Sequence, residues 1–180
     1  MEDVGTESYR RVVLCLGSNI EPRAEYLDRA QTALCALPAT EFAAASETEE
    51  TDPVDVPPEF ADRKFLNRIL VVRTALSPRE FSDRMHAIED GLGRVRGSVR
   101  NAPRTIDVDM IDYEGVVSDD PELTLPHPRA AERAFVCGPL RRLGIALTSM
   151  KTARMTIAAL QGSASPSLNN SQSLQGVNHH

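Results

Sequence analysis

Four segments of strand character, residues 11–16, 41–48, 65–72 and 105–112, are interleaved with two of helical period, and that order leaves few folds open to the chain. The first, Arg11-Val12-Val13-Leu14-Cys15-Leu16, is apolar enough to be buried and ends at the turn residues Gly17-Ser18-Asn19. Pro22 then suits a first helical turn, Leu27, Ala30, Leu34 and Leu37 recur at helical spacing, and Pro38 closes the segment. In residues 65–72, Phe65, Asn67, Ile69 and Val71 share one face and Leu66, Arg68, Leu70 and Val72 the other. Ser77-Pro78-Arg79-Glu80 has the form of a capping box, and Phe81, Met85, Ile88 and Leu92 make the stripe of a helix ended by Gly91 and Gly93.

Strand, helix, strand, strand, helix, strand predicts an α+β fold, a ferredoxin-like sandwich in which two helices cover one face of an antiparallel sheet. Residues 49–59, with their prolines and like charges, are expected to form a long loop outside any ladder. A minor hairpin is expected near Glu114-Gly115, and residues beyond 129 are expected to add short helices at the margin of the sandwich. Residues 1–161 read as a single domain. Residues 162–180, rich in Ser, Asn and Gln, read as a disordered polar tail.

A chain of 180 residues buries an ordinary core without metal or disulfides, and Cys15, Cys35 and Cys137 are too few and too scattered for a disulfide framework or a zinc site. A net charge of −6 argues against a general nucleic-acid or membrane-surface binder. No apolar run approaches a membrane span, and the N-terminus lacks the basic and apolar regions of a signal peptide, so the expected compartment is the cytoplasm.

Chemistry concentrates where Arg100-Asn101-Ala102-Pro103-Arg104 runs into Thr105-Ile106-Asp107-Val108-Asp109-Met110-Ile111. Residues two apart on a strand share a face, so Asp107 and Asp109 point one way and Ile106, Val108 and Met110 the other. Two neighbouring carboxylates repel unless a cation lies between them, and hard divalent cations prefer oxygen ligands. Gly93-Arg94-Val95-Arg96, together with Arg100 and Arg104, sets four guanidinium groups in one short stretch, a density suited to a polyphosphate.

The pattern Arg-x-Ala-Pro-Arg-x-x-Asp-Val-Asp-Met-Ile resembles the signature of the 6-hydroxymethyl-7,8-dihydropterin pyrophosphokinases, and the resemblance runs from Val12 to about Leu143. It implies an ATP-dependent diphosphotransferase of folate biosynthesis, with ATP as co-substrate and two Mg2+ ions held by Asp107 and Asp109. It implies catalytic roles for Arg94, Arg104, Asp107 and Asp109. Arg94, Arg104, His127 and Arg133 would meet ATP phosphates, Arg96 and Arg100 would belong to a closing loop, and Leu123 and Thr124 would line the nucleotide side of the cleft. His127 lies in Leu123-Thr124-Leu125-Pro126-His127-Pro128, similar to the family's second signature segment. Phe65, Asn67 and Phe135 would hold the pterin between aromatic faces and an amide, with Glu89 near the substrates and Asp107 also counted among the substrate-binding residues. A buried amide such as Asn67 on an apolar strand face needs partners, which favours a ligand there.

Two places depart from the family's common pattern: Asn101 stands where many relatives carry an aromatic residue, and Asp52-Pro53-Val54 where Pro-Pro is frequent. Family members of this length mostly act alone, so a monomer with small-molecule substrates and no nucleic acid or membrane partner is expected. Two other readings of the residues are a non-catalytic small-ligand sensor and a nucleotide-dependent glycosyl or nucleotidyl transferase using its Asp-x-Asp with metal. The first has no need of paired metal ligands, and the second explains neither the Asn67 strand nor the His127 segment.

Overall fold

The computed structural model describes residues 8–54, 56–95 and 102–148. The expected tail, Arg96, Arg100 and Asn101 lie outside the described residues. Strand β1 (Arg10–Ser18) leads to helix α1 (Arg23–Cys35), then β2 (Thr40–Ala45), β3 (Glu49–Thr51), β4 (Phe65–Thr74), α2 (Pro78–Gly91), β5 (Asp107–Tyr113) and α3 (Ala134–Arg142). Short 3-10 turns sit at Pro58–Phe60 and Ala130–Glu132. The fold is α+β, with an antiparallel sheet in the order β2-β4-β1-β5 and β3 pairing with β4 beyond the end of β2.

The strand alternation sorts the core into two clusters. Val12, Leu14 and Leu16 of β1, Leu70 and Val72 of β4, and Val108 and Met110 of β5 pack under Leu27, Ala30 and Leu34 of α1 and Phe81 and Met85 of α2. Burial of such side chains supplies roughly 1.5–3 kcal/mol each before conformational entropy is subtracted. The α2 capping box is formed: Ser77 Oγ accepts from the Glu80 amide, and the Glu80 carboxylate accepts from the Ser77 amide.

The opposite face is covered too, which corrects the expectation that residues after 129 lie at the margin. Ala130, Val136, Leu140 and Leu147 pack on Val13, Cys15, Ile69, Val71 and Ile111. The physical reason lies in β1 and β4, whose second faces are also apolar and must be covered. A second correction concerns residues 49–51: they extend the sheet, pairing Glu49 with Asn67, Glu50 with Leu66 and Thr51 with Phe65. The turn at Glu114-Gly115 is present, with Gly115 at φ +74°, and the chain beyond it closes a single bridge between Ser118 and Leu125.

Between Val13 and Leu14 of β1 the β5 register slips by one residue, Asp112 facing Val13 and Met110 facing Leu14. The extra residue, Ile111, is a β-bulge that lets both Ile111 and Asp112 turn toward the α3 side. Most of that face is apolar and closed. Its open end, beyond Cys15, is where the site forms.

Candidate active site

Register places the polar side chains in rows across three strands. Gly17 lies between Asn67 of β4 and Asp107 of β5, and in the next row Cys15 lies between Ile69 and Asp109. Because Gly17 has no side chain, the row stays open: a Cβ there would stand 3.0 Å from Asn67 Oδ1 and 3.7 Å from the Phe65 ring. The resulting cavity, about 360 Å³, is lined by Phe65, Asn67, Arg104, Asp107, Asp109, Arg133 and Phe135, with Thr51 and Asp52 at its rim. Asn67 is 7% exposed, and its Nδ2 donates to Thr51 Oγ1 at 2.7 Å, so its carbonyl oxygen is the atom turned toward Gly17.

Each carboxylate is matched by guanidinium. Asp109 Oδ2 accepts from Arg133 Nη1 at 2.9 Å, Asp107 Oδ1 accepts from Arg94 Nη1 at 2.5 Å, and Arg104 Nε lies 3.2 Å from Asp107 Oδ2. The arginines also sit over the aromatic walls, Arg104 at 5.4 Å from the Phe65 centroid and Arg133 at 5.7 Å from that of Phe135. Arg104 is fixed at its backbone by Asn19, whose Oδ1 accepts the Arg104 amide at 2.8 Å while the Asn19 amide donates to the Arg104 carbonyl at 3.3 Å.

Glu89 does not line the cavity; it is 1% exposed at the end of α2. Its carboxylate accepts from the Val108 amide at 2.8 Å and pairs with Arg94, so it tethers α2 to β5. Burial pulls the Arg94 guanidinium down, but Asp107 and Glu89 more than offset this and raise it.

His127 is held by β5, its amide donating to the Ile111 carbonyl at 2.8 Å and its Nδ1 accepting from the Arg129 amide at 3.2 Å. Burial lowers its pKa, with Asp109 working in the opposite direction. Leu123 and Thr124 are not among the lining residues: Leu123 packs partly on the α1–α2 cluster, and Thr124 Oγ1 donates to the Asp120 carbonyl. Arg129, Glu132 and Cys15 line the cavity without having been given a site role from the sequence, and Val54 of the segment that departs from the family pattern joins them. Arg129 and Glu132 fall in the same segment as His127 and Arg133, the one signal that pointed to them. Burial, with Asp109 and then Asp107 alongside, pushes the Cys15 thiol well above its ordinary range, so it is an inert floor.

Among the described residues no group of three or more His, Cys, Asp or Glu side chains is arranged to hold a metal. Two carboxylates sharing one strand face and opening on a cavity are nonetheless a fitting donor set for a hard divalent cation that fills its shell with phosphate oxygens and water. No helix among the described residues is long and apolar enough to cross a membrane.

A sheet that offers paired carboxylates, arginines and an amide flanked by aromatic rings in one cavity is equipment for an enzyme acting on phosphate groups and a flat heterocycle. The model of the 7,8-dihydro-6-hydroxymethylpterin-pyrophosphokinase family matches residues 13–144. The 2-amino-4-hydroxy-6-hydroxymethyldihydropteridine pyrophosphokinase of Bacillus subtilis (strain 168) is 37% identical over 131 residues, 72% of this chain and 75% of that protein. The protein of the same name from Methylorubrum extorquens is 37% identical over 155 residues, 85% of this chain and 95% of its own. Among solved structures, the crystal structure of an HPPK-DHPS in complex with substrates aligns with a TM-score of 0.57 at 11% identity, over 87% of this chain and 45% of that one, a likeness of fold. This chain belongs to the 7,8-dihydro-6-hydroxymethylpterin-pyrophosphokinase family.

Proposed function

We propose that diphosphate passes from ATP to the hydroxymethyl group of 6-hydroxymethyl-7,8-dihydropterin in the cavity on β4, β1 and β5, as a step of folate biosynthesis. The observation that carries this reading is the common face of Asn67, Asp107 and Asp109, which sets a heterocycle-binding amide and two carboxylates in one cavity. The pterin lies between Phe65 and Phe135, its polar edge on Asn67, whose amide orientation is set by Thr51. Asp107 and Asp109 are the residues that would hold the expected pair of Mg2+ ions, and such ions would supply charge neutralisation of the phosphate oxygens next to the β-phosphorus.

The chain's own groups supply alignment and charge. The pterin hydroxyl oxygen bonds to the β-phosphorus as the bridge to the α-phosphate breaks, AMP leaves with that oxygen, and the hydroxyl proton is lost to water or a carboxylate. Arg104 and Arg133 neutralise Asp107 and Asp109 in the protein alone, and their guanidinium groups would be available to the phosphates with the carboxylates on cations. Arg94 stays tied to Glu89 and steadies Asp107. His127, beside Asp109, donates to a phosphate oxygen, and Leu123 and Thr124 contribute to the adenine side after a rearrangement of their turn. The order of strands and helices supports a ferredoxin-like assignment.

Incubation of the purified chain with ATP, Mg2+ and the pterin alcohol is expected to release AMP and the pterin diphosphate in equal amounts. Release of ADP or phosphate without AMP overturns the reading.

A further inference from the structure

The α3 side of β5 carries a third carboxylate, at the far end from the cavity. Asp112 is fully buried, and its Oδ2 accepts from both the Thr148 amide (3.1 Å) and the Thr148 hydroxyl (3.0 Å). Arg11, at the start of β1, lies 3.5 Å from the same oxygen and donates through Nη2 to the Ala146 carbonyl at 2.9 Å. These two side chains, from adjacent strands, therefore grip the segment that follows α3 at two backbone groups and one hydroxyl. We propose that Arg11 and Asp112 form a latch that positions α3, and through it the Arg133–Phe135 wall of the cavity.

The mechanical link is short. The Ile145 amide donates to the Leu140 carbonyl at 2.9 Å, and Gly144 (φ +69°) closes the end of α3, so the latched segment and the helix move together. Leu147 packs with Leu140 and Val136 on Ile111. Arg133 is the residue from which α3 starts, and Phe135 lies in its first turn. A helix of nine residues anchored beyond one end by a half-buried ion pair carries its other end as a lever, and that end bears the guanidinium on Asp109 and one aromatic face.

A carboxylate without exposure must be paired, and Asp112 has Oδ1 without a hydrogen-bond partner among the described residues. Among the described residues its side-chain partners are Thr148 and Arg11, and the pairing is specific: an apolar residue would fill the core but would leave Thr148 without its acceptor and Arg11 without its counter-charge. Asp112 does not line the cavity and is a positioning residue. The link to pterin affinity rests on the proposed function of the cavity, whereas the latch itself does not.

The test is amide hydrogen exchange on the full chain and on Asp112→Leu, with pterin KM and kcat measured in parallel. Asp112→Leu is expected to speed exchange at Ile145, Leu147 and the α3 amides by about tenfold or more, with α1 and β4 unchanged. Pterin KM is expected to rise about fivefold while kcat stays within about twofold. Thr148→Val, which removes only the hydroxyl, gives the same pattern in smaller form and serves if Asp112→Leu does not fold. Exchange that is unchanged, or that rises evenly through α1, β4 and α3, or local loosening with unchanged KM, overturns the proposal. A wild-type chain that makes no AMP would sink the assigned reaction while leaving the exchange result to judge the latch.

Discussion

Arg133 donates to Asp109 at 2.9 Å while its guanidinium lies over the ring of Phe135. One arginine thus spans a cavity carboxylate and an aromatic wall, and Arg104 does the same between Asp107 and Phe65. In the protein without ligands these guanidinium groups balance the charge that metal and polyphosphate would otherwise bring.

Removing either carboxylate should therefore end catalysis without unfolding the chain. Asp107→Ala and Asp109→Ala are each expected to lower AMP release by about a thousandfold or more, since charge neutralisation of the phosphates is lost. Both side chains border the cavity and are partly exposed, so the melting temperature should move by only a few degrees, about the effect of 1 kcal/mol. Near-normal turnover in either variant would remove it from the cation site.

Gly17 is a test of the pterin side. Its Cβ would meet Asn67 Oδ1 at 3.0 Å, and that amide is already fixed by Thr51, so Asn67 must shift to make room. Gly17→Ala is expected to weaken pterin binding about tenfold, a loss of roughly 1.4 kcal/mol, with little change in kcat. Titration of the pterin in the presence of a non-hydrolysable ATP analogue measures it. Unchanged affinity would mean that the heterocycle does not use Asn67.

The strand period made Asp107, Asp109, Phe65 and Asn67 readable as residues sharing faces, because that depends only on alternation along each strand. That the faces are the same one, opposed across Gly17, depends on register between β4, β1 and β5, which no local pattern encodes. Residues 49–51 were unreadable as a strand because their partner groups come from Phe65 to Asn67, while their own like charges and the prolines that follow at 53, 57 and 58 speak for a loop. Glu89 was expected near the substrates, and its tethering role was not legible because Arg94 and the Val108 amide, which it pairs with, arrive from later in the chain. The covering of the second sheet face by α3 follows from the apolar residues Val13, Ile69 and Val71 once both faces of the sheet are counted.

His127 gives a pH signature. Burial lowers its pKa in the folded state, so the neutral imidazole is favoured there and its contribution to stability is present above the ordinary value of about 6.5. That contribution is lost as pH falls through the folded-state midpoint. NMR titration of the imidazole should give a midpoint below about 6.5 in the free protein, moving up when Mg2+ and ATP bring phosphate oxygens to it. A midpoint at or above the ordinary value in the free protein would contradict the buried setting. A midpoint unmoved by nucleotide would remove His127 from the phosphate site.

Glu89 separates tethering from substrate contact. It is buried at the junction of α2 and β5, so truncation leaves Arg94 facing an apolar hole and the Val108 amide without its acceptor. Glu89→Ala is expected to cost about 3 kcal/mol or more, the usual penalty for breaking a buried ion pair from one side. Glu89→Gln keeps an acceptor for Val108 and should recover a large part of that loss. Urea unfolding of the two variants measures the difference, and kinetics of the glutamine variant complete the comparison. A stable Glu89→Ala protein whose only defect is a raised KM would instead make Glu89 a direct substrate contact, reached by movement of Arg94 away from Asp107.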